Sequence, residues 1–396
     1  MDFSYNAGEQ AFRDELRAWL ADAKDRGLVP PVEEGSLDER VEVGRRWQHE
    51  LYDGGWCGVH WPREYGGRGA GLVEQIIFQE ELAAAGSPQL VNLLALSMVG
   101  PLLIDHGTKE QKHKYLGPIL KAEKIWCQGF SEPGAGSDLA AVSTRAVLEG
   151  GSYKVSGQKV WTSYAQYADF CMLLARTDTA ADKHRGLSLM VVDMKQPGVE
   201  VRPLTQMNGD REFNEVYFDG AAVPSENLVG RENDGWTMAV AMLMYERATL
   251  TFQRQLQSRV ALDELIAMAG RPGPDGKRPA DDPLVRQRVA AAYTESEALR
   301  LTALRHLTRQ LRGGKPGPEG SMEKLFWSEM FQRMLETAMS VAGPYGQLAA
   351  EDPLALDRGR WPHLYLYSRG RTIAAGTSEI QRSIIAQRVL GLPKDR

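Results

Sequence analysis

The chain has 396 residues, 43% of them hydrophobic and 25% charged, with a formal net charge of −5. That length asks for more than one packed core, and the modest charge implies neither a nucleic-acid nor an anionic-membrane partner. Cys57, Cys127 and Cys171 follow no metal-ligand spacing and include no Cys-x-x-Cys pair, so neither a metal site nor a disulfide framework is expected, and a reducing cytoplasm is the natural setting.

The opening MDFSYNAGEQAFRDELRAWL is acidic and amphipathic, unlike a signal peptide. Phe12, Leu16, Trp19 and Leu20 fall at helical intervals within 9–26. A Gly/Pro-rich stretch at 55–71 interrupts, and apolar-periodic segments follow at 72–85 and 88–106. Thr108 with Gln111 reads as a capping box opening a polar helix. No apolar run approaches the roughly 20 residues of a membrane-spanning helix. From Ile125 the pattern shortens to strand-like runs divided by Gly, Asn and Pro, among them STRAVLEGGSYKVSGQKVWTS, FCMLLART, GLSLMVVDM, VEVRPL and EVYFDGAAV. The helical period returns at Trp236 and persists, broken by loops at 270–283 and 312–321. The expected organisation is an N-terminal helical domain at 1–124, a small antiparallel β domain at 125–233 and a helical domain at 234–396.

Four segments carry chemistry. In QGFSEPGAGSDLA, 128–140, Pro133, Gly134 and Gly136 allow a tight turn with exposed N–H groups, and Ser131 and Ser137 add hydroxyls. An ordinary hairpin loop and a loop for an anionic or polar ligand both fit; a dinucleotide fingerprint does not. In GQKVWTSYAQYADF, 157–170, Trp161 beside Thr162 and Ser163 offers a flat face with a donor next to it, or simply a core residue. In WTMAVAMLMYERATLTF, 236–252, Glu246 has Met242 and Leu243 one turn before it and Thr249 and Leu250 one turn after. A carboxylate on such an apolar face is either a base with a raised pKa or half of a buried ion pair. In RTIAAGTSEIQRSIIAQRVLGL, 371–392, Thr377 can cap a helix whose start faces an anion. The run Lys183-His184-Arg185 suits either the phosphates of a ligand or an exposed hairpin.

Taken with WPREYGG at 61–67, these motifs make the chain resemble the acyl-CoA dehydrogenase family over nearly its whole length. The resemblance implies an N-terminal helical domain, a middle β domain and a C-terminal four-helix bundle. It implies FAD held by Gln128, Phe130, Ser131, Ser137, Trp161, Ser163, Thr377 and Glu379, and acyl-CoA bordered by Ser137, Met244, Arg247, Ala375 and Gly376. Most members carry the catalytic Glu just before the Gly-Thr of the last motif. Here that position is Ala375, and the chain matches the isovaleryl-CoA and long-chain members, with Glu246 as the base. The implied reaction is α,β-dehydrogenation to the trans-2-enoyl-CoA. Glu246 removes the α proton, flavin N5 accepts the β hydride, and a ribityl hydroxyl with the Ala375 N–H polarises the thioester carbonyl. An electron-transferring flavoprotein is the implied acceptor. An oxygen-using acyl-CoA oxidase on the same fold is the alternative, and a non-catalytic subunit is opposed by Glu246 and the intact flavin motifs.

Two departures concern FAD held across a subunit interface. The family's Arg-x-x-Phe-Gly region is GRPGPDGKRPADDP here, and its Gln-x-x-Gly-Gly is Ser340-Val341-Ala342-Gly343-Pro344. They imply a different adenine grip, or assembly with a non-identical partner as in some actinobacterial steroid-degrading members; a homotetramer or homodimer is the simpler expectation.

Overall fold

The computed structural model describes residues 4–30, 35–273, 276–313 and 317–393, with only the backbone at 246–251. By contact the chain divides into a first unit, 1–206 with 210–246, and a second, 207–209 with 247–396.

The first unit opens with helices α1 (Ala7–Asp25), α2 (Leu37–Asp53), α3 (Leu72–Ala84), α4 (Gly100–His106) and α5 (Lys109–Leu120). Phe12, Leu16 and Leu20 of α1 are buried, as their spacing predicts, with Trp19 half-buried beside them. The capping box forms: Gln111 N–H donates to Thr108 Oγ1 at 3.2 Å, and Thr108 N–H to Gln111 Oε1 at 3.1 Å. The expected helix at 88–106 is shorter at its start. Residues 87–90 have no regular structure, since Pro88 disfavours helical backbone before it, and a π-helical turn at Ala95–Val99 leads into α4. The Leu96 carbonyl there accepts from Trp61 Nε1 at 2.9 Å and contacts His60 Nε2 at 3.2 Å. Burial pulls the His60 pKa down to about 4, so the ring is neutral and its Nε2 carries the proton.

Strands β1 (Trp126–Gly129), β2 (Arg145–Glu149), β3 (Ser152–Ser163), β4 (Phe170–Arg176), β5 (Leu187–Asp193), β6 (Val199–Leu204), β7 (Phe213–Pro224) and β8 (Leu228–Val229) form one sheet. Its path runs β6-β7-β3-β2-β4-β5-β8, with β1 added on β4. The sheet is mostly antiparallel, but β1 and β2 both run parallel to β4. The hairpin patterning did not disclose this, since a parallel pair needs a crossover that leaves no turn signature. Asn92, almost fully buried, ties the first strand to the helices: its Oδ1 accepts from Trp126 N–H at 3.1 Å and its Nδ2 donates to Lys124 O at 2.7 Å.

Helix α6 (Gly235–Gly270) belongs to the first unit up to Glu246 and to the second from Arg247. The second unit continues with α7 (Pro283–Leu311), α8 (Glu319–Ala342), α9 (Arg360–Arg371) and α10 (Ser378–Ile384). Leu262 and Leu265 of α6, Ala292 of α7, Leu335 of α8 and Trp361 of α9 share one apolar core, the four-helix arrangement expected. Where the sequence departs at 340–344, the Ser340 hydroxyl accepts from Arg288 at 3.0 Å. No helix among the described residues is long and apolar enough to cross a membrane.

Trp61 fixes how the first unit closes. A Cβ at Gly100 would lie 1.9 Å from Trp61 Cζ2, and the indole is itself immobilised in the core. Gly100→Ala is therefore expected to cost about 1–3 kcal/mol through overpacking, read as a fall in thermal midpoint relative to Gly117→Ala, where nothing lies within 4 Å of the added carbon.

Candidate active site

The 128–140 motif leaves β1 and turns at once. Glu132 and Ala135 exchange backbone hydrogen bonds of 3.1 and 3.0 Å, closing a four-residue turn over Pro133 and Gly134. An added Cβ at Gly134 or Gly136 would meet nothing within 4 Å; both border open space. Ser137 is exposed and Gln128 and Ser131 are half-buried, whereas the Phe130 ring lies in the core. Phe130 thus has only its backbone to give to a ligand.

Beneath this loop sits an ion pair that the sequence reading passed over. Lys159 is fully buried, and its Nζ donates to Glu132 Oε1 at 2.8 Å and to Phe130 O at 3.0 Å. Glu132 also accepts from Ser143 N–H at 2.7 Å and Thr144 N–H at 2.9 Å. Burial pushes the Glu132 carboxyl up, but the Lys159 ammonium and these hydrogen bonds together outweigh it and hold the group down at about 2. Burial pulls Lys159 down to about 8, against the support of Glu132; the pair is ionised at neutral pH. The strand alternation contained the signal. Tyr153, Val155 and Lys159 share the inward face of β3, and an inward lysine requires a carboxylate.

Lys159 stands where β3 bulges. The register with β7 shifts between Lys159 and Thr162, and Trp161 adopts φ +60° with 60% of its surface exposed. A bulky residue in the left-handed region persists only where its surroundings impose it. Val160 N–H donates to Ser131 O at 2.9 Å, and Asn214, fully buried on β7, donates from Nδ2 to Thr162 O at 3.0 Å. Phe213 meets the indole edge-on at 6.0 Å, and Ser163 is half-buried beside it. An exposed indole on strained backbone, next to hydroxyls, an amide and an open glycine loop, fits a planar, polar-rimmed ring such as a flavin. Across the 131–140 loop, Lys183 pairs with Asp138, and His184 packs against the Trp236 ring at 4.7 Å. The basic run is therefore an exposed hairpin tethered to this motif.

On α6, Met242 is buried and Leu243 and Met244 are half-buried. Tyr245 donates its O–H to Asp105 of α4, and burial together with Asp105 raises its pKa. The side chains of Glu246 and Arg247, like those of Thr249 and Leu250, lie outside the described residues.

In the second unit, Thr377 caps α10, accepting from Ile380 N–H at 3.2 Å. Glu379 is exposed, its carboxyl held low by its own backbone N–H and by Thr377. Ala375 and Gly376 are consecutive left-handed residues, with φ +54° and +87°. Their carbonyls are taken by Lys324 and Gln381, which the sequence reading did not single out.

The described chain thus has an all-helical start, a sheet carrying a glycine loop beside an exposed indole, and a closing helical bundle. Family models for the acyl-CoA dehydrogenase N-terminal, middle and C-terminal domains match residues 6–123, 127–221 and 233–390. The acyl-CoA dehydrogenase IpdE1 of Mycolicibacterium smegmatis is 40% identical over 405 residues, covering 98% of each chain. Among solved structures, the ChsE4–ChsE5 complex of Mycobacterium tuberculosis matches with 34% identity and a TM-score of 0.86 over 100% of both chains. A steroid ACAD, Tcur3481–Tcur3483, matches with 31% identity and a TM-score of 0.86, again over 100% of both. The chain belongs to the acyl-CoA dehydrogenase family, whose members are FAD-dependent oxidoreductases.

Removing one partner of a buried ion pair strands the other. Lys159→Met is expected to destabilise the protein by about 3–5 kcal/mol and to lower its FAD content. The Glu132 carboxyl sits well below its ordinary value of 4.5 in the native state, so its stabilising contribution is present above that value and is lost as pH falls through about 2. Without Lys159 the carboxyl rises instead and is protonated earlier. The gap in thermal midpoint between wild type and variant should therefore be widest near neutral pH and narrow on acidification; a gap independent of pH refutes the pairing.

Proposed function

We propose that this acyl-CoA dehydrogenase uses Glu246 as the base that removes the α proton of its thioester substrate. The observation that carries this is the residue at 375: an alanine, on a left-handed turn, where most of the family has its carboxylate. A dehydrogenation at the α and β carbons needs a proton acceptor, and Glu246 follows directly on the anchored Met242–Tyr245 stretch of α6. Bound FAD supplies the hydride acceptor. Around it, Gln128, Ser131, Ser137, Trp161, Ser163, Thr377 and Glu379, with the backbone at Phe130, would hold and orient the cofactor. Met244, Arg247, Ser137 and the Ala375–Gly376 backbone would border the acyl-CoA, with the Ala375 N–H donating to the thioester carbonyl. The domain limits 1–124, 125–233 and 234–396 belong to the same proposal, supported by the spans of the three family models.

The substrate class we favour is a bulky steroid-derived acyl-CoA, supported by the steroid ACAD among the matched structures. Two matched assemblies carry paired names, ChsE4–ChsE5 and Tcur3481–Tcur3483. Together with the altered stretches at 270–283 and 340–344, they support a heteromer with a related second subunit over a homo-oligomer. An electron-transferring flavoprotein as acceptor and a cytoplasmic setting complete the reading, the latter supported by three free, buried cysteines.

Glu246→Gln should yield yellow, FAD-loaded protein whose anaerobic bleaching by acyl-CoA is slowed by roughly 10²–10⁴-fold. Bleaching at the wild-type rate would remove Glu246 from the mechanism. A panel of thioesters, from straight-chain to steroid-derived, should give its highest kcat/KM at the polycyclic end. Turnover should require an artificial electron acceptor, and rapid turnover with oxygen alone would mark an oxidase.

A further inference from the structure

The turn before α10 is held from below by two buried side chains with no counterpart among the residues assigned so far. Lys324 of α8 is 5% exposed, and its Nζ donates to Gly376 O at 2.7 Å. Gln381 of α10 is 1% exposed, and its Nε2 donates to Ala375 O at 2.9 Å and to Gly376 O at 3.3 Å. We propose that Lys324 and Gln381 are positioning residues for the dehydrogenation: they lock the Ala375–Gly376 turn so that its backbone N–H groups face the substrate thioester. The inference rests on the reading that this turn meets the thioester carbonyl.

The physical case starts with strain. Left-handed backbone costs a non-glycine residue roughly 1–2 kcal/mol, and Ala375 pays that cost at φ +54°. Gly376 follows at φ +87°, and a Cβ there would lie 2.6 Å from Gln381 Nε2, so the clamp itself demands glycine. The trans peptide unit is planar, with its C=O and N–H pointing in opposite directions. Drawing the Ala375 and Gly376 carbonyls inward therefore turns the N–H groups of Gly376 and Thr377 outward. The Ala375 N–H belongs to the preceding peptide and is constrained from both sides, by the Ala374 N–H bond to Gly370 O at 2.8 Å and by the Gln381 bond to the Ala375 carbonyl at 2.9 Å. Among the described residues, no backbone carbonyl accepts from the N–H groups of Ala375, Gly376 or Thr377, whereas those of Ala374 and Ser378 on either side are taken by Gly370 O and Thr372 O. The turn thus keeps its carbonyls satisfied and its donors available, the requirement for a preorganised carbonyl-polarising site.

Lys324 adds charge to geometry. An ammonium on the Gly376 carbonyl polarises the Gly376–Thr377 peptide and strengthens the Thr377 N–H, the neighbour of the Ala375 donor on the same turn. Burial and the Arg254 guanidinium bring Lys324 down to about 8, with Glu329 and Glu379 opposing and Arg371 adding to the fall. At neutral pH the side chain is largely protonated.

The test uses FAD-loaded enzyme. Lys324→Met and Gln381→Leu should each lower kcat by about 10- to 100-fold, short of the roughly 10²–10³ for deleting a carbonyl-polarising donor. KM and FAD content should stay within about twofold, because the lost interaction matters chiefly in the transition state. A structural role alone would not alter the spectroscopic readout: the infrared stretch of a ¹³C-labelled thioester carbonyl, bound to Glu246→Gln protein so that it is not consumed. In that background the stretch should lie below its value in water, and adding either clamp variant should move it back toward that value. A carbonyl unshifted in Glu246→Gln protein overturns the assignment of the turn to the thioester. A carbonyl shifted there and equally shifted in both clamp variants overturns the clamp alone. If Lys324→Met fails to fold, Gln381→Leu decides between these outcomes.

Discussion

In the first unit, the 131–140 loop and the strand that carries Trp161 are held together by a buried contact, the Lys159–Glu132 ion pair at 2.8 Å. It joins the loop that leaves β1 to the strand that carries the exposed indole, alongside the Val160 N–H bond to Ser131 O at 2.9 Å. Taking two charges out of water is costly, and a hydrophobic pair of similar volume often does as well or better for stability. What a hydrophobic pair lacks is direction. Lys159 Nζ also donates to Phe130 O, and Glu132 also accepts from Ser143 and Thr144. The network fixes the loop's backbone path along with its distance from β3. A bulged strand with its Trp161 in the left-handed region stores about 1–3 kcal/mol of backbone strain, and this network together with Asn214 keeps that strain from relaxing.

Much of this was legible in the sequence, for identifiable reasons. Amphipathic spacing located α1, Thr108 announced its cap, and the alternation between 145 and 163 gave the β2–β3 hairpin, because each is a local pattern with a local cause. The parallel pairings of β1 and β2 with β4 were not legible, since nothing in a strand's own residues states which distant strand it joins. Lys159 and Glu132 escaped for a related reason. Each is unremarkable alone, and only the inward face of β3 shows that one requires the other. Burial of the motif residues was not legible either: Trp161 is 60% exposed, while the ring of Phe130 belongs to the core.

With Glu246 as the proposed base, two jobs that one residue performs in most of the family would fall to two residues. A carboxylate at 375 would serve through its side chain, and a thioester donor at the same position would serve through its backbone. The proposed base on α6 would free the side chain at 375 and leave the demand on its N–H unchanged. On that reading Gly376, Thr377 and Gln381 would serve the N–H of an alanine that carries no acid. Backbone donors survive any substitution that preserves φ and ψ, so selection on the turn falls on whatever holds those angles. In this chain those are the glycine that tolerates +87° and the buried amide and ammonium that grip its carbonyl. A base on a helix of 36 residues would also gain something a turn does not offer: a backbone position set by hydrogen bonds on both sides along the helix.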